Sequence, residues 1–327
     1  MLTDILQLFV AGLATGGIYA LAAIGFTLLW QTSQTINFAQ GEFVMLPAFF
    51  VLIGMGFFGL PFWAAALIGV AVSIVTLGLM FKKLMVDPML NHGVLPLVIA
   101  TIGLAILMKE AVREFYGADA WPFPPLVAAT NVTVFGAALA VQSLAVLGIS
   151  VAAVTILQLF LNKTRTGRCM QATAQNPTVA RLLGASVERM ILYTFLINAA
   201  LVALASLLIT PIYLAKFTNG ELLGLYAFIA AIIGGFNQVR GAIVGGLVLG
   251  VIDNFTAVYI STQYRLVIPL LFLIVVILFR PQGLLGRVEE RTVRRAVGRL
   301  PSALRWGFRH RSCSWHRSCS SPTVSSS

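Results

Sequence analysis

The chain has 327 residues, of which 59% are hydrophobic and only 10% charged, with a formal net charge of +11. Soluble domains carry roughly a quarter charged residues, so this composition excludes a globular enzyme with a hydrated surface and makes lipid the solvent for most of the chain. The charge excess is concentrated at the end: residues 287–327 hold nine arginines against two glutamates, a net +7, while the other 286 residues net only +4, a distribution that marks a cytoplasmic flank and not a nucleic-acid surface.

In chain order, apolar runs fall at about 5–30, 43–59, 61–81, 94–113, 137–161, 189–214, 222–239, 241–260 and 265–280. Many reach the ~20 residues that cross a bilayer. Backbone amides in lipid must pair within their own segment, so these runs are expected to be helices. The expected fold class is all-α, a polytopic transmembrane bundle of eight or nine spans. The N-terminus has no basic stretch ahead of its apolar run, so no cleavable signal peptide is expected.

The connections carry the remaining information. A polar break over 31–42 and the Gly-rich stretch 220–262 are places where the chain could be re-entrant. Lys82 and Lys83 are expected to end the third span, with Asp87-Pro88 opening a loop. The Pro-rich run Trp121–Pro125 cannot continue a helix and reads as an aqueous loop. The connection 162–188 sets Lys163, Arg165, Arg168 and Arg181 against Glu188, a positive-inside signal. Four crossings separate it from the basic tail, which places both on one side. The membrane domain is therefore 1–286, with a cytoplasmic connection at about 162–188. The tail 287–327 is Arg- and Ser-rich and expected to be disordered.

Several positions could carry function. In the basic connection, Asn176 suits an N-cap, Pro177 the first helical position and Gly184 the left-handed residue past the helix end. The short helix they bound has an apolar side of Val179, Leu182 and Leu183, fit either to dock a cytoplasmic partner or to pack on its own bundle. Tyr19, Thr15 and Thr27 on the first span could face a pore or glue helices. Asn37, Gln40 and Glu42 form either a broken-helix element near a path or an interfacial turn. Asp253 is an acid inside a span, a functional candidate by default; nearby Tyr259 and Arg265 point instead to the outer interface. Gly234, Gly235, Gly245 and Gly246 read as close helix packing ahead of a hinge. His310, Cys313, His316 and Cys319 are three apart, whereas zinc pairs are usually separated by a longer stretch, so no metal is expected. Cys169, Cys313 and Cys319 fall in cytoplasmic segments and are expected to be reduced thiols.

Three sets of residues resemble the LivH-like permease subunits of ABC importers for branched-chain amino acids. They are Gly16–Leu21 with Ile36–Glu42; Arg165-Thr-Gly167-Arg168, Asn176-Pro177 and Ala180–Gly184; and Ile233–Gly235, Gly241–Gly246 and Leu249-Gly250, closed by Pro281–Gly286. The likeness runs in order from about residue 8 to 287. The chain departs from the pattern at Gln40, where the family usually has His, at Phe236–Arg240, and at Val86-Asp87-Pro88; the tail resembles nothing in the family. The resemblance implies a multi-pass subunit of the bacterial inner membrane that does no chemistry and binds no cofactor. A periplasmic substrate-binding protein would deliver the amino acid. A second permease subunit, a LivM-like paralogue or a second copy, would complete the path, and cytoplasmic ATPase subunits would power it. It places Arg165, Gly167, Arg168, Asn176, Pro177, Ala180, Leu183 and Gly184 in the ATPase-coupling loop and leaves Tyr19, Asn37, Glu42 and Asp253 as pathway or gate candidates.

No G-x-x-x-x-G-K-[ST] phosphate loop occurs in the chain, so an ATPase would have to be a separate subunit. Urea or short amides are the alternative cargo. A secondary transporter or channel is the alternative class, and it predicts charges deep in the spans or an internal repeat. Neither is clear in the sequence, where Asp253 is the one candidate. An intramembrane enzyme would need a catalytic constellation within the spans, and no His lies in any of them.

Overall fold

The computed structural model describes residues 2–34, 36–89, 94–127, 131–134 and 137–286. The expected disorder of the tail and its His/Cys spacing lie outside the described residues. We number the helices α1 Leu2–Ser33, α2 Gln40–Phe58, α3 Phe62–Met89, α4 Val94–Tyr116, α5 Val141–Lys163, α6 Arg165–Gln175, α7 Pro177–Leu182, α8 Val187–Tyr213, α9 Asn219–Gly234, α10 Val239–Tyr259 and α11 Val267–Phe279. Among the described residues, seven helices are long and apolar enough to cross a membrane, and α9 and α11 are shorter apolar helices. The fold is the expected helical bundle.

Helix α1 is the central column. It packs on α5, α8, α9 and α10, and from Ala14 to Leu29 nearly every side chain is buried. Its contact with α10 is a seam of glycines. A Cβ on Gly250 would lie 2.2 Å from the Gly16 Cα, and one on Gly246 would lie 2.5 Å from the Ala20 Cα. The paired Gly-x-x-x-Gly spacings at Gly12/Gly16 and Gly246/Gly250 let two backbones approach to this distance. Asn254 closes the seam by donating to the Thr15 hydroxyl at 2.8 Å.

Three expectations are corrected. The third span does not stop at Lys82-Lys83, and Asp87-Pro88 opens no loop: α3 continues to Met89 through π-helical turns at Ile74–Met80 and Lys82–Val86. The wider π spacing brings residues five apart onto one face, where Lys82 and Asp87 pair at 2.8 Å. The span expected from 137 begins at Val141; before it, Asn131–Val134 pairs antiparallel with Ala137–Ala140. Finally, the last three residues of the 31–42 break, Gln40–Glu42, are the first turn of α2.

Candidate functional site

The break between α1 and α2 is re-entrant. Gln40 pairs with Asn198, and the Ala48 amide donates to the Ser206 hydroxyl at 3.1 Å, both across 158 residues. This constant offset means that α2 runs parallel to α8. Asn198 lies eleven residues into the 27-residue α8, about 17 Å along a helix of about 40 Å. Helix α2 therefore starts half-way through the bundle. Gly25 of α1 lies at the same level, since a Cβ there would sit 2.0 Å from Asn198 Oδ1 and 2.3 Å from Gln40 Nε2. Residues 36–39 lead back to that level.

Helix α9 starts at the same depth from the other direction. A Cβ on Gly41 would meet the Gly220 carbonyl oxygen at 2.1 Å, and one on Gly224 would meet the Gly41 Cα at 2.8 Å. Two helix N-termini thus cross at the centre. The chain entering each carries the same signature, Phe38-Ala-Gln40-Gly41-Glu42 and Phe217-Thr-Asn219-Gly220-Glu221, offset by 179 residues. The two non-glycine residues with positive φ among those described, Gln34 at 53° and Leu214 at 63°, reverse the chain just before each signature. The next helices repeat as well. Gly69 of α3 lies against Val51, Gly245 of α10 lies against Ala230, and Val51 and Ala230 are again 179 apart. Tyr19 on α1 and Tyr213 on α8 meet at Asp253 and Arg265, while Gly25 and Asn198 meet lower down, so α1 and α8 are antiparallel. The chain therefore contains an inverted repeat, α1–α3 and α8–α10, which the sequence reading did not find. Glu221, Gly220 and Asn219 were visible in it as the second copy of the Gln-Gly-Glu step.

The polar groups at the crossing are unequally served. Gln40 and Asn198 exchange both amide bonds, at 2.7 and 3.0 Å. Asn37 accepts from the Ala39 amide at 3.0 Å, but its Nδ2 has no partner. Glu42 is 4% exposed, and its Oε2 also has none. A Cβ on Gly220 would lie 2.3 Å from that oxygen. Beyond it, Lys109 of α4 pairs with Glu221 of α9.

Tyr19 and Asp253, separate candidates in the sequence, are bonded to each other. The Tyr19 hydroxyl donates to Asp253 Oδ2 at 3.0 Å, Tyr226 donates to Oδ1 at 3.3 Å, and Arg265 grips both oxygens at 2.6 and 2.7 Å. Arg265 also donates to the Tyr213 hydroxyl, and the rings of Tyr19 and Tyr226 stack at 4.9 Å. The hydrogen bond to Asp253 holds the Arg265 guanidinium charged well above its ordinary range. Asp253 is fully buried, and each of its oxygens has two donors. The cluster is a clamp tying α1, α8, α9, α10 and the turn before α11. Asn37 and Glu42 are not part of it.

The connection after α5 holds more structure than expected. Thr164 caps α6 by accepting from the Gly167 amide at 3.0 Å. Gly167 lets the helix fold back, because a Cβ would lie 2.3 Å from the Phe160 carbonyl oxygen. Gly167, Met170 and Thr173 face the bundle, and Arg165 and Arg168 are exposed. In α7, Asn176 accepts from the Thr178 and Val179 amides, both at 3.1 Å, with Pro177 at the first position. Gly184 has φ +88°, and Ala185 donates back to the Ala180 carbonyl at 2.9 Å, which closes the helix. Ala180 is buried, whereas Leu182 and Leu183 are 83% and 79% exposed. The apolar side does not pack on its own bundle.

Of the other glycines singled out, Gly234 meets Gly241 and Gly245 meets Ala230 in the α9–α10 hairpin, and Gly246 meets α1. Gly235, at φ +103°, forms the turn and touches Gly286, where Leu284 and Leu285 donate to the Ile233 and Gly234 carbonyls.

Residues 8–277 match the family model described as branched-chain amino acid transport system / permease component. The chain is 31% identical over 300 residues to the high-affinity branched-chain amino acid transport system permease protein LivH of Salmonella typhimurium, covering 88% of this chain and 97% of the relative. It is 32% identical over 300 residues to the corresponding permease protein BraD of Pseudomonas aeruginosa, covering 88% and 98%. A fructose import permease protein, FruG of Bifidobacterium longum, is 34% identical over 144 residues, 41% of this chain and 42% of the relative. No solved structure matches the chain.

Proposed function

The chain belongs to the permease-component family of branched-chain amino acid transport systems, and we propose that it is the membrane subunit of an ABC importer moving branched-chain amino acids across the inner membrane. A periplasmic binding protein delivers the cargo, a second permease subunit completes the path, and cytoplasmic ATPases drive it. The observation that carries this reading is α7. A two-turn helix capped at both ends, with two leucines more than three-quarters exposed, is a rigid apolar knob at the end of the bundle. It is built to seat in a partner and transmit its motion through α6 and α8. In this reading the 162–188 connection is cytoplasmic, and the Tyr19–Asp253–Arg265 clamp lies toward the periplasm, because α8 starts at one face and Tyr213 ends at the other.

The test is the double variant Leu183→Asp, Gly184→Asp in right-side-out proteoliposomes holding the ATPase, with ATP enclosed and loaded binding protein outside. Both ATP-driven leucine uptake and co-purification of the ATPase are expected to be lost. Survival of both would overturn the assignment of α7 as the coupling element. Uptake of fructose or urea in place of leucine by the wild type would overturn the cargo.

A further inference from the structure

We propose that Glu42, Glu221 and Lys109 form a recognition point for the charged main-chain end of an α-amino acid, its ammonium taken by the two carboxylates and its carboxylate by Lys109; this rests on the permease reading above. The first observation is depth. Glu42 is in the first turn of α2, half-way along α8, and touches Gly220 of α9. Charged groups at such depth face protein or a water-filled path, not lipid. The Glu221 side chain is 60% exposed and that of Lys109 22%. Each thus has a face that the described residues leave open, toward the path or the subunit across it.

The second observation is an imbalance. Lys109 pairs with Glu221 alone, and Glu42 Oε2, buried and facing the start of α9, lacks a donor. Glu221 and Lys109 are the charged groups that act on the Glu42 carboxylate electrostatically. A buried carboxylate oxygen without a donor is costly. The positive ends of two helices at the crossing offset part of that cost. An arriving ammonium supplies the missing donor, and Lys109 is then released from Glu221 to meet the carboxylate. Such a site reads what all α-amino acids share and leaves side-chain choice to the binding protein.

Uptake of radiolabelled leucine into proteoliposomes holding the full transporter, with loaded binding protein, separates this from a structural ion pair. E42Q, E221Q and K109M are each expected to lose at least tenfold in uptake while still co-purifying with the ATPase, and the conservative K109R is expected to recover at least half of the wild-type rate. The charge swap K109E/E221K is the deciding variant. It keeps an ion pair but places a lysine beside Glu42, which fills the vacant oxygen, so uptake stays at least fivefold down. Recovery to near the wild-type rate in the swap, or single variants within twofold of wild type, would overturn the recognition point and leave the permease reading standing. A wild type that takes up no α-amino acid would overturn both.

Discussion

Gly41 and Gly220 lie against each other at the centre of the bundle, and they are the equivalent residues of its two inverted halves. A Cβ on Gly41 would sit 2.1 Å from the Gly220 carbonyl oxygen, and one on Gly220 would sit 2.3 Å from Glu42 Oε2. An axis relating the halves passes between them. Broken helices that meet at mid-depth, with one half rocking against the other, are a recurrent way to alternate access.

Gly41→Ala and Gly220→Ala should therefore both be damaging, and to a similar degree. Neither backbone can retreat without parting α2 from α9, so a loss of about 1–3 kcal/mol is expected for each, read as a lower melting temperature in detergent. Gly148→Ala is the control. Nothing lies within 4 Å of a Cβ there, and alanine in a helix is favoured over glycine by up to about 1 kcal/mol, so its melting temperature should hold or rise. Equal melting temperatures for all three variants would show that the crossing is loosely packed.

The spans were legible because their apolar length has one physical solution in lipid. The α7 caps were legible because Asn176, Pro177 and Gly184 act through their own backbone neighbours. Helix α6 was not: it is polar on most of its surface, and its buried stripe of Gly167, Met170 and Thr173 is too short to stand out among arginines and glutamines. The repeat was hidden for another reason. Its halves share a five-residue signature and little other side-chain identity, because each helix meets different neighbours. The donors around Asp253 come from 12, 27 and 234 residues away, and only folding reveals that Arg265 neutralises it.

The Asp253–Arg265 pair should behave as a buried ion pair does. Asp253→Ala leaves the guanidinium without its counter-charge, which costs about 3–5 kcal/mol where a pair is fully buried; partial exposure of Arg265, 28%, places the expected loss near the lower end. Tyr19→Phe removes one hydrogen bond to a charge and should cost about 1.5–3 kcal/mol. Replacing both charges, as in Asp253→Leu with Arg265→Met, should regain most of the loss. Thermal unfolding of the four proteins gives the order. A double variant no better than Asp253→Ala would mean that the tyrosines, and not the ion pair, set the clamp.

Gln40 and Asn198 exchange two amide bonds, so truncating Asn198 strips the Gln40 oxygen of its donor and leaves its Nε2 only the 3.4 Å bond to the Ala22 carbonyl. Asn198→Ala is expected to cost about 1–3 kcal/mol. Gln40→His should be tolerated better, because an imidazole N–H can still donate to Asn198 Oδ1. Greater loss for Gln40→His than for Asn198→Ala would show that shape beside Gly25, where a Cβ would already lie 2.3 Å from Gln40 Nε2, dominates over hydrogen bonding.

The exposed leucines of α7 separate folding from assembly. Leu182 and Leu183 are 83% and 79% accessible in the isolated chain, so Leu182→Ala with Leu183→Ala removes little buried surface and should shift stability by no more than about 0.5 kcal/mol. Seated in a partner pocket, each leucine would contribute about 1.5–3 kcal/mol of burial, and losing both should weaken ATPase binding at least tenfold. Asn176→Ala works the other way. It removes the cap that accepts from Thr178 and Val179, costing about 1 kcal/mol of helix stability, and it leaves the leucines in place. Its effect on binding should therefore be the smaller of the two. Titrating purified ATPase against the reconstituted variants measures both. A leucine pair that binds as well as wild type, alongside a weakened Asn176→Ala, would move the contact from the apolar knob to the backbone it caps.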